Sequence, residues 1–353
     1  DDLQSLFYAK LMRKRVELGV PPFPNGPSTE LPPETHEPYE NAIRDAGREV
    51  GQMYLARGDI SRAWVLYRML GEPGPIRDAL ASYDPGPDGD PYPAIEVAWQ
   101  GGVYPEKGFD LVLDRSGVCS AITMVSSTDM TGKEPLRDYC IRRLVKALHA
   151  QLVERLVGDL ESRGKPVPTP TTAAAILAAL PDLCADDAYH VDTSHLSSVV
   201  QMAMHLPPGP ELELARDLCV YGAALSPGLR GDAEPPFDDT YVDYGAYLDA
   251  ILDDNREASL DRFRAKAAAG ADPDGGNIPA EVLVNLLLKL DRPADALAVA
   301  CEYLANEDDR NLSCPGVGEL ARRVGDYATA AAAAKSKLDP VAYLAALIAG
   351  KNG

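Results

Sequence analysis

Residues 50–67 read VGQMYLARGDISRAWVLY and predict two helices joined by a tight turn. Apolar side chains recur at helical spacing on both sides of Gly58-Asp59, and this dipeptide is typical of turns. The small residues Gly51 and Ala63 stand where two antiparallel helices must approach each other closely. The stretch therefore predicts a helical hairpin, the unit from which helical-repeat proteins are stacked.

The hairpin resembles a tetratricopeptide (TPR) repeat. The TPR signature of small residues, aromatics and a closing proline is matched by Gly51, Tyr54, Gly58, Ala63, Tyr67 and Pro75, whereas Leu70 replaces the usual small residue. Similar patterns recur at residues 284–296 and 318–330. Their turn positions, Asp291 and Gly325, are 34 residues apart, which is the TPR period. The resemblance implies stacked helix pairs, which usually bind a partner or present an inserted site.

One segment between the helical regions predicts a β-hairpin. Residues 109–113 and 118–125 are rich in apolar and β-branched side chains, and the four residues between them end in Gly117. A short connection that contains glycine is typical of hairpins. We therefore expect a mainly α fold, a TPR-like α-α helical array (solenoid), with one inserted β-hairpin.

These patterns divide the chain into four segments. They are residues 1–83 with the first TPR-like hairpin, 84–133 with a loop and the β-hairpin, 134–270 with an irregular helical middle, and 271–353 with the C-terminal TPR-like repeats. Apolar spacing also predicts helices over residues 1–18, 134–163, 171–180, 211–225, 241–252 and 257–269. Prolines in residues 21–33 and 165–170 exclude helix interiors there.

The charge of the chain bears on its partners. It carries 54 acidic and 34 basic residues, a formal net charge of −20, and its basic residues are scattered. Phosphate binding needs a concentrated cationic surface, so we expect no nucleic-acid partner. The one cationic run, residues 10–15, is interpreted as a solvated helix face or a docking strip.

Cysteine spacing and hydropathy bear on location. The six cysteines are widely separated and form no zinc-knuckle or CxxC pattern, which favours free thiols in a reducing compartment. No apolar stretch approaches the roughly 20 residues of a membrane span, and the first residues show no signal-peptide core. These observations predict a cytoplasmic protein without a membrane partner.

A histidine-rich stretch is the strongest candidate for chemistry. Residues 189–196 read YHVDTSHL and place His190, Asp192 and His195 at the start of a predicted helix. Neutral imidazoles and carboxylates are the usual zinc ligands, and a bound metal with an open position activates water. The alternative is that Asp192 only caps the helix while the histidines hydrogen-bond within a helix junction.

Further ligands would have to come from distant parts of the chain. His149, at the border of an apolar helix face, is one candidate, and His36 with Glu40 forms a second tier. Glu96, a carboxylate in apolar surroundings, is the candidate general base of a hydrolytic reaction.

Two hypotheses follow from the sequence. The first is a scaffold whose concave acidic surface binds a peptide or protein partner; residues 235–244, which mix carboxylates with aromatics, are interpreted as a groove for a cationic peptide or as a capped helix start. The second is a metal-binding protein with a site built around His190 and His195. A zinc-dependent hydrolase is one form of this hypothesis. The sequence leaves the oligomeric state open.

Overall fold

The computed structural model describes residues 2–24, 26–231, 235–270 and 277–352, and all regular secondary structure in these ranges is helical. Two compact units make up the chain, Asp1–Cys140 and Ile141–Gly353. The helices that begin in the first unit are α1 (Asp2–Glu17), α2 (Pro33–Ala56), α3 (Ile60–Leu70), α4 (Gly74–Ala81), α5 (Tyr92–Ile95), α6 (Pro105–Ser126) and α7 (Glu134–Ser162), with a 3-10 turn at Ser28–Glu30 and a π turn at Glu96–Gln100.

The helical hairpin predicted from residues 50–67 is present as α2 and α3. Gly58 adopts a φ of 74°, which lets the chain reverse, and the Asp59 side chain accepts the Arg62 amide at 3.1 Å and so caps α3. A Cβ atom on Gly51 would lie 2.7 Å from the Tyr67 ring. The predicted close approach is therefore confirmed, and Ala63 on the facing helix is fully buried.

The predicted β-hairpin is wrong, because residues 109–113 and 118–125 both belong to α6. Gly117, at φ 77° and ψ −176°, interrupts this helix. The buried positions Val118, Ala121 and Val125 are three and four residues apart, which is helical spacing, whereas a half-buried strand needs spacing of two. The β-branched residues of this segment pack on helical faces, since β-propensity depends strongly on context.

The second unit continues the helical chain from the end of α7. Its helices are α8 (Ala173–Ala179), α9 (Thr193–Ala203), α10 (Pro210–Ala224), α11 (Thr240–Leu252), α12 (Arg256–Ala269), α13 (Ile278–Lys289), α14 (Pro293–Tyr303), α15 (Val317–Val324), α16 (Tyr327–Ser336) and α17 (Pro340–Asn352), with 3-10 turns at Pro181–Asp187 and Pro227–Leu229. The helices predicted in residues 134–269 are confirmed to within two or three residues at each end. The predicted boundary at 270/271 adjoins residues 271–276, which lie outside the described residues.

Two helical hairpins occur where the C-terminal pattern predicts them. Asp291, between α13 and α14, has a φ of 57°, and Gly325, between α15 and α16, has a φ of 77°. The Asp326 side chain accepts the Thr329 amide at 3.0 Å and caps α16, as Asp59 caps α3. These antiparallel pairs are compatible with a helical-repeat fold.

Candidate functional site

His149, a predicted metal ligand, is bound to a carboxylate on α10. Its Nε2 atom lies 2.8 Å from Oδ2 of Asp217. The same carboxylate accepts the backbone amides of Ala173 at 2.7 Å and Ala174 at 2.9 Å, which are among the otherwise unpaired donors at the start of α8. Burial raises the pKa of Asp217, but the hydrogen bonds from His149 and the two amides outweigh it, so the net shift is downward.

His190 is held by Tyr221, which lies on α10 like Asp217. Its backbone amide donates to Oη of Tyr221 at 2.6 Å, and its ring Nδ1 lies 3.2 Å from that oxygen. The other ring nitrogen, Nε2, lies 3.5 Å from Oδ2 of Asp159 on α7. Burial raises the pKa of Tyr221 to about 12, so the phenol stays neutral.

The remaining residues of the histidine stretch form a helix cap. Asp192 Oδ1 accepts the Ser194 amide at 2.9 Å, the Ser194 hydroxyl at 2.5 Å and the His195 amide at 3.2 Å. The Ser194 hydroxyl and the His195 amide hold the pKa of this carboxyl below its usual range. One face of α9 packs on the core, since Leu196, Val199, Val200 and Ala203 are fully buried, as is Leu206 just after the helix.

The other candidates lie in the first unit. His36 and Glu40 are half-buried, one turn apart on α2, and Glu96 is exposed in the π turn that follows α5. Across the described ranges, no three or more His, Cys, Asp and Glu side chains form a group that could hold a metal ion.

The partners of the histidines lie along the contact between α7 and α10. Asp217 and Tyr221 are one turn apart on α10 and bind His149 and His190, respectively. Glu211, on the first turn of α10, is buried and accepts Lys146 of α7 at 2.7 Å and also Arg142. Sequence reasoning missed these partners, although a carboxylate beside the apolar residues of α10 was a usable signal.

The acidic and aromatic segment 235–244 packs against its own helices. Asp243 is fully buried and accepts Arg262 Nε at 2.6 Å and Lys266 Nζ at 3.0 Å. Phe237 stacks on Tyr244 with ring centroids 4.5 Å apart. The aromatics of this segment thus contribute to packing, and its central carboxylate binds cations of the same chain.

A groove lies among α15, α16, α17 and the loop that precedes α15. We call it the α15–α17 groove; its volume is about 270 Å³, and it is lined by Asp309, Cys314, Pro315, Gly316, Gly318, Glu319, Arg322, Ala330, Ala333, Ala334, Lys337, Asp339, Ala342 and Ala346. Five of the lining residues are alanines of α16 and α17, which we call the floor of the groove. A Cβ atom on Gly318 would meet no atom within 4 Å, so the wall is open at that point.

Several polar groups of this groove already have structural partners. Lys337 Nζ lies 2.6 Å from Asp309 Oδ1 and donates to the Glu307 carbonyl at 2.8 Å. Asp339 Oδ1 accepts the amides of Val341 at 3.0 Å and Ala342 at 2.9 Å and thereby caps α17. Lys337 is therefore held by residues that precede α15, and Asp339 by the first turn of α17.

Two further grooves have different linings. One, of about 470 Å³ between α10, α11 and α12, includes Arg216 and Arg262. Arg216 pairs with Asp254 at 2.6 Å, and Arg262 pairs with Asp243. The other, of about 430 Å³ between α1 and α2, includes Lys10, Arg13 and Lys14 of the cationic run, and Lys10 pairs with Glu49 at 2.7 Å. Both have charged walls that are largely neutralised by internal pairs.

Comparison of the chain with protein-family models, curated proteins and solved structures gave no match. None of the described helices has both the length and the apolar composition needed to cross a membrane.

Proposed function

We propose that this chain is a TPR-like helical-repeat protein that binds a peptide segment of a protein partner in the α15–α17 groove. The observation that carries the proposal is the alanine floor, Ala330, Ala333, Ala334, Ala342 and Ala346, between walls that carry charged side chains. Small floor residues leave room for apolar side chains of a ligand, while a few fixed polar groups orient it.

The position of the groove also supports this proposal. It lies between α15 and α17, the helices on either side of α16, in the region where Asp291 and Gly325 are spaced by one TPR period. Stacked helix pairs create extended binding surfaces along one side of the array. A peptide that follows α15 and α17 would contact two successive structural units.

Charge favours a peptide of positive net charge. The chain carries a formal net charge of −20, which attracts cations over the screening length of the solvent. Glu319 and Asp339 contribute carboxylates to the groove, and Arg322 offers one site for an acidic group of the ligand. We expect the affinity to fall as salt is added, mainly through slower association.

The test is a selection from a displayed library of random short peptides, followed by titration of the enriched sequences. Gly318→Tyr is the blocking variant, because a side chain there enters open space in the groove wall. We expect enriched peptides to combine basic residues with an apolar residue. Their affinity for Gly318→Tyr should fall at least about tenfold, equivalent to about 1.4 kcal/mol.

The matched control is Gly158→Tyr. Gly158 is an exposed glycine within α7, a Cβ atom there also meets nothing within 4 Å, and it does not line the groove. The control should bind the selected peptides like the unaltered chain. The proposal is overturned if no peptide is enriched, or if the enriched peptides bind Gly318→Tyr as tightly as Gly158→Tyr.

A further inference from the structure

α17 carries large apolar side chains on a face that no described residue covers. The exposed fractions are 78% for Val341, 58% for Leu344, 41% for Leu347 and 54% for Ile348, and the preceding Leu338 is 88% exposed. Val341, Leu344 and Ile348 follow one another at intervals of three and four residues, so they form a stripe along one face of the helix. We call these five residues the α17 seam.

The opposite face of α17 carries small residues. Ala346 is buried, Ala342 is half-buried, and both line the α15–α17 groove. A surface helix usually points its large apolar residues at the core and its polar residues at solvent. In α17 the large apolar residues point at solvent and alanines point at the core, which is the pattern of a helix that packs against a further helix.

Local charge permits a second copy of the chain to supply that helix. Between Pro340 and Asn352 the only charged side chain is that of Lys351, although the whole chain has a formal net charge of −20. Two copies therefore repel each other over most of their surface, and the α17 seam brings no carboxylates of α17 together. Like charges placed across an interface would oppose binding by several kcal/mol.

The exposed area also fits a pair of copies. From their exposed fractions, the five seam residues offer at most about 600 Å² per copy, which is the lower end of the roughly 600–1,000 Å² that stable interfaces bury per partner. An isologous contact brings the same patch of both copies together across a two-fold axis. Leu344 stands near the middle of the stripe, so it lies close to that axis.

We propose that two copies of this chain associate through the α17 seam, with the α17 helices packed antiparallel. The contact is independent of the α15–α17 groove, because the groove uses the opposite face of α17. A homodimer of this kind presents two grooves to its ligands.

The first experiment is sedimentation over a concentration series at physiological salt. The unaltered chain should be dimeric at micromolar concentration, and Leu344→Glu and Ile348→Glu should each weaken dimerisation at least about tenfold. Both side chains are more than half exposed, so helix content and melting temperature should not change. Val65→Glu, at a 68% exposed position of α3, is the matched control and should remain dimeric.

A charge-pair experiment tests the symmetry. Leu344→Glu and Leu344→Lys should each be monomeric alone, whereas an equimolar mixture should form a heterodimer. A monomeric unaltered chain at high concentration, a Leu344→Glu variant that stays dimeric, or a mixture that stays monomeric overturns the proposal. Peptide binding by Leu344→Glu reports separately on the groove, so the two proposals can fail independently.

Discussion

Asp217 joins three helices: its carboxylate binds His149 of α7 at 2.8 Å and accepts the Ala173 and Ala174 amides at the start of α8, while its own backbone lies in α10. One turn further along α10, Tyr221 binds His190. The two histidines are therefore fixed by adjacent turns of one helix. Their observed contacts are those of a helix junction.

Removal of the Asp217 carboxylate should destabilise the second unit. Asp217→Ala leaves two helix-start amides and a half-buried imidazole without their acceptor, and we expect a loss of about 2–3 kcal/mol. Urea denaturation followed by circular dichroism measures it. Asp254→Ala, which removes a carboxylate that pairs with Arg216 at the surface, should cost less than about 1 kcal/mol. Equal effects of the two substitutions would contradict this account.

Acid should weaken the same junction. The pKa of Asp217 is lowered in the folded state by the hydrogen bonds from His149, Ala174 and Ala173, which outweigh burial, and that of Asp159 is lowered by His190 and Arg163 in the same way. A lowered carboxyl pKa contributes stability that is complete above the unfolded value of about 3.9 and is lost as the pH falls through the folded value.

Melting temperatures between neutral pH and about pH 3 check this linkage. We expect the unaltered chain to lose stability on the acid side and Asp217→Ala to lose less over the same interval. If the melting temperatures of the two proteins fell equally between neutral pH and the acid end, Asp217 would not contribute to the pH dependence.

Two glycines in helices should respond to alanine with opposite sign. Gly117 has a φ of 77° and a ψ of −176°, a region that is nearly restricted to glycine, so Gly117→Ala should destabilise by about 1–3 kcal/mol. Gly158 lies inside α7 with open space around its Cβ position, so Gly158→Ala should stabilise by about 0.5–1 kcal/mol. Chemical denaturation of both variants gives the comparison, and a stabilising Gly117→Ala would disprove the kink.

Elemental analysis tests the metal hypothesis directly. Because His149 binds Asp217 and His190 binds Tyr221, we expect elemental analysis of the purified chain to find no stoichiometric zinc, and a chelator to leave the melting temperature unchanged. About one equivalent of metal, lost in the His190→Ala/His195→Ala double variant, would favour the metal site instead.

Much of the helical fold could be predicted from local patterns. The Gly51–Tyr67 approach, the turn at Gly58 and the buried face of α9 all depend on residues within one hairpin or one helix, where spacing decides the outcome. Residues 109–125 misled the prediction, because apolar and β-branched content was given more weight than helical spacing. Gly117 marks a break within a helix, not a turn between strands.

The surroundings of the candidate site could not be predicted in the same way. Asp217 is 68 residues from His149, and Tyr221 is 31 residues from His190. Such contacts depend on how α7, α8 and α10 pack, for which a single sequence holds no direct signal. The α15–α17 groove likewise depends on how three helices pack, which the run of alanines at residues 330–334 does not reveal by itself.

The most direct test of the central claim is hydrogen exchange on the unaltered chain with and without a peptide selected from the library. We predict that added peptide slows exchange in α15, α16 and α17, and that Gly318→Tyr abolishes this protection while Gly158→Tyr retains it. Protection confined to other helices, for example α10 to α12, or no protection at a saturating peptide concentration, would contradict the assignment of partner binding to the α15–α17 groove.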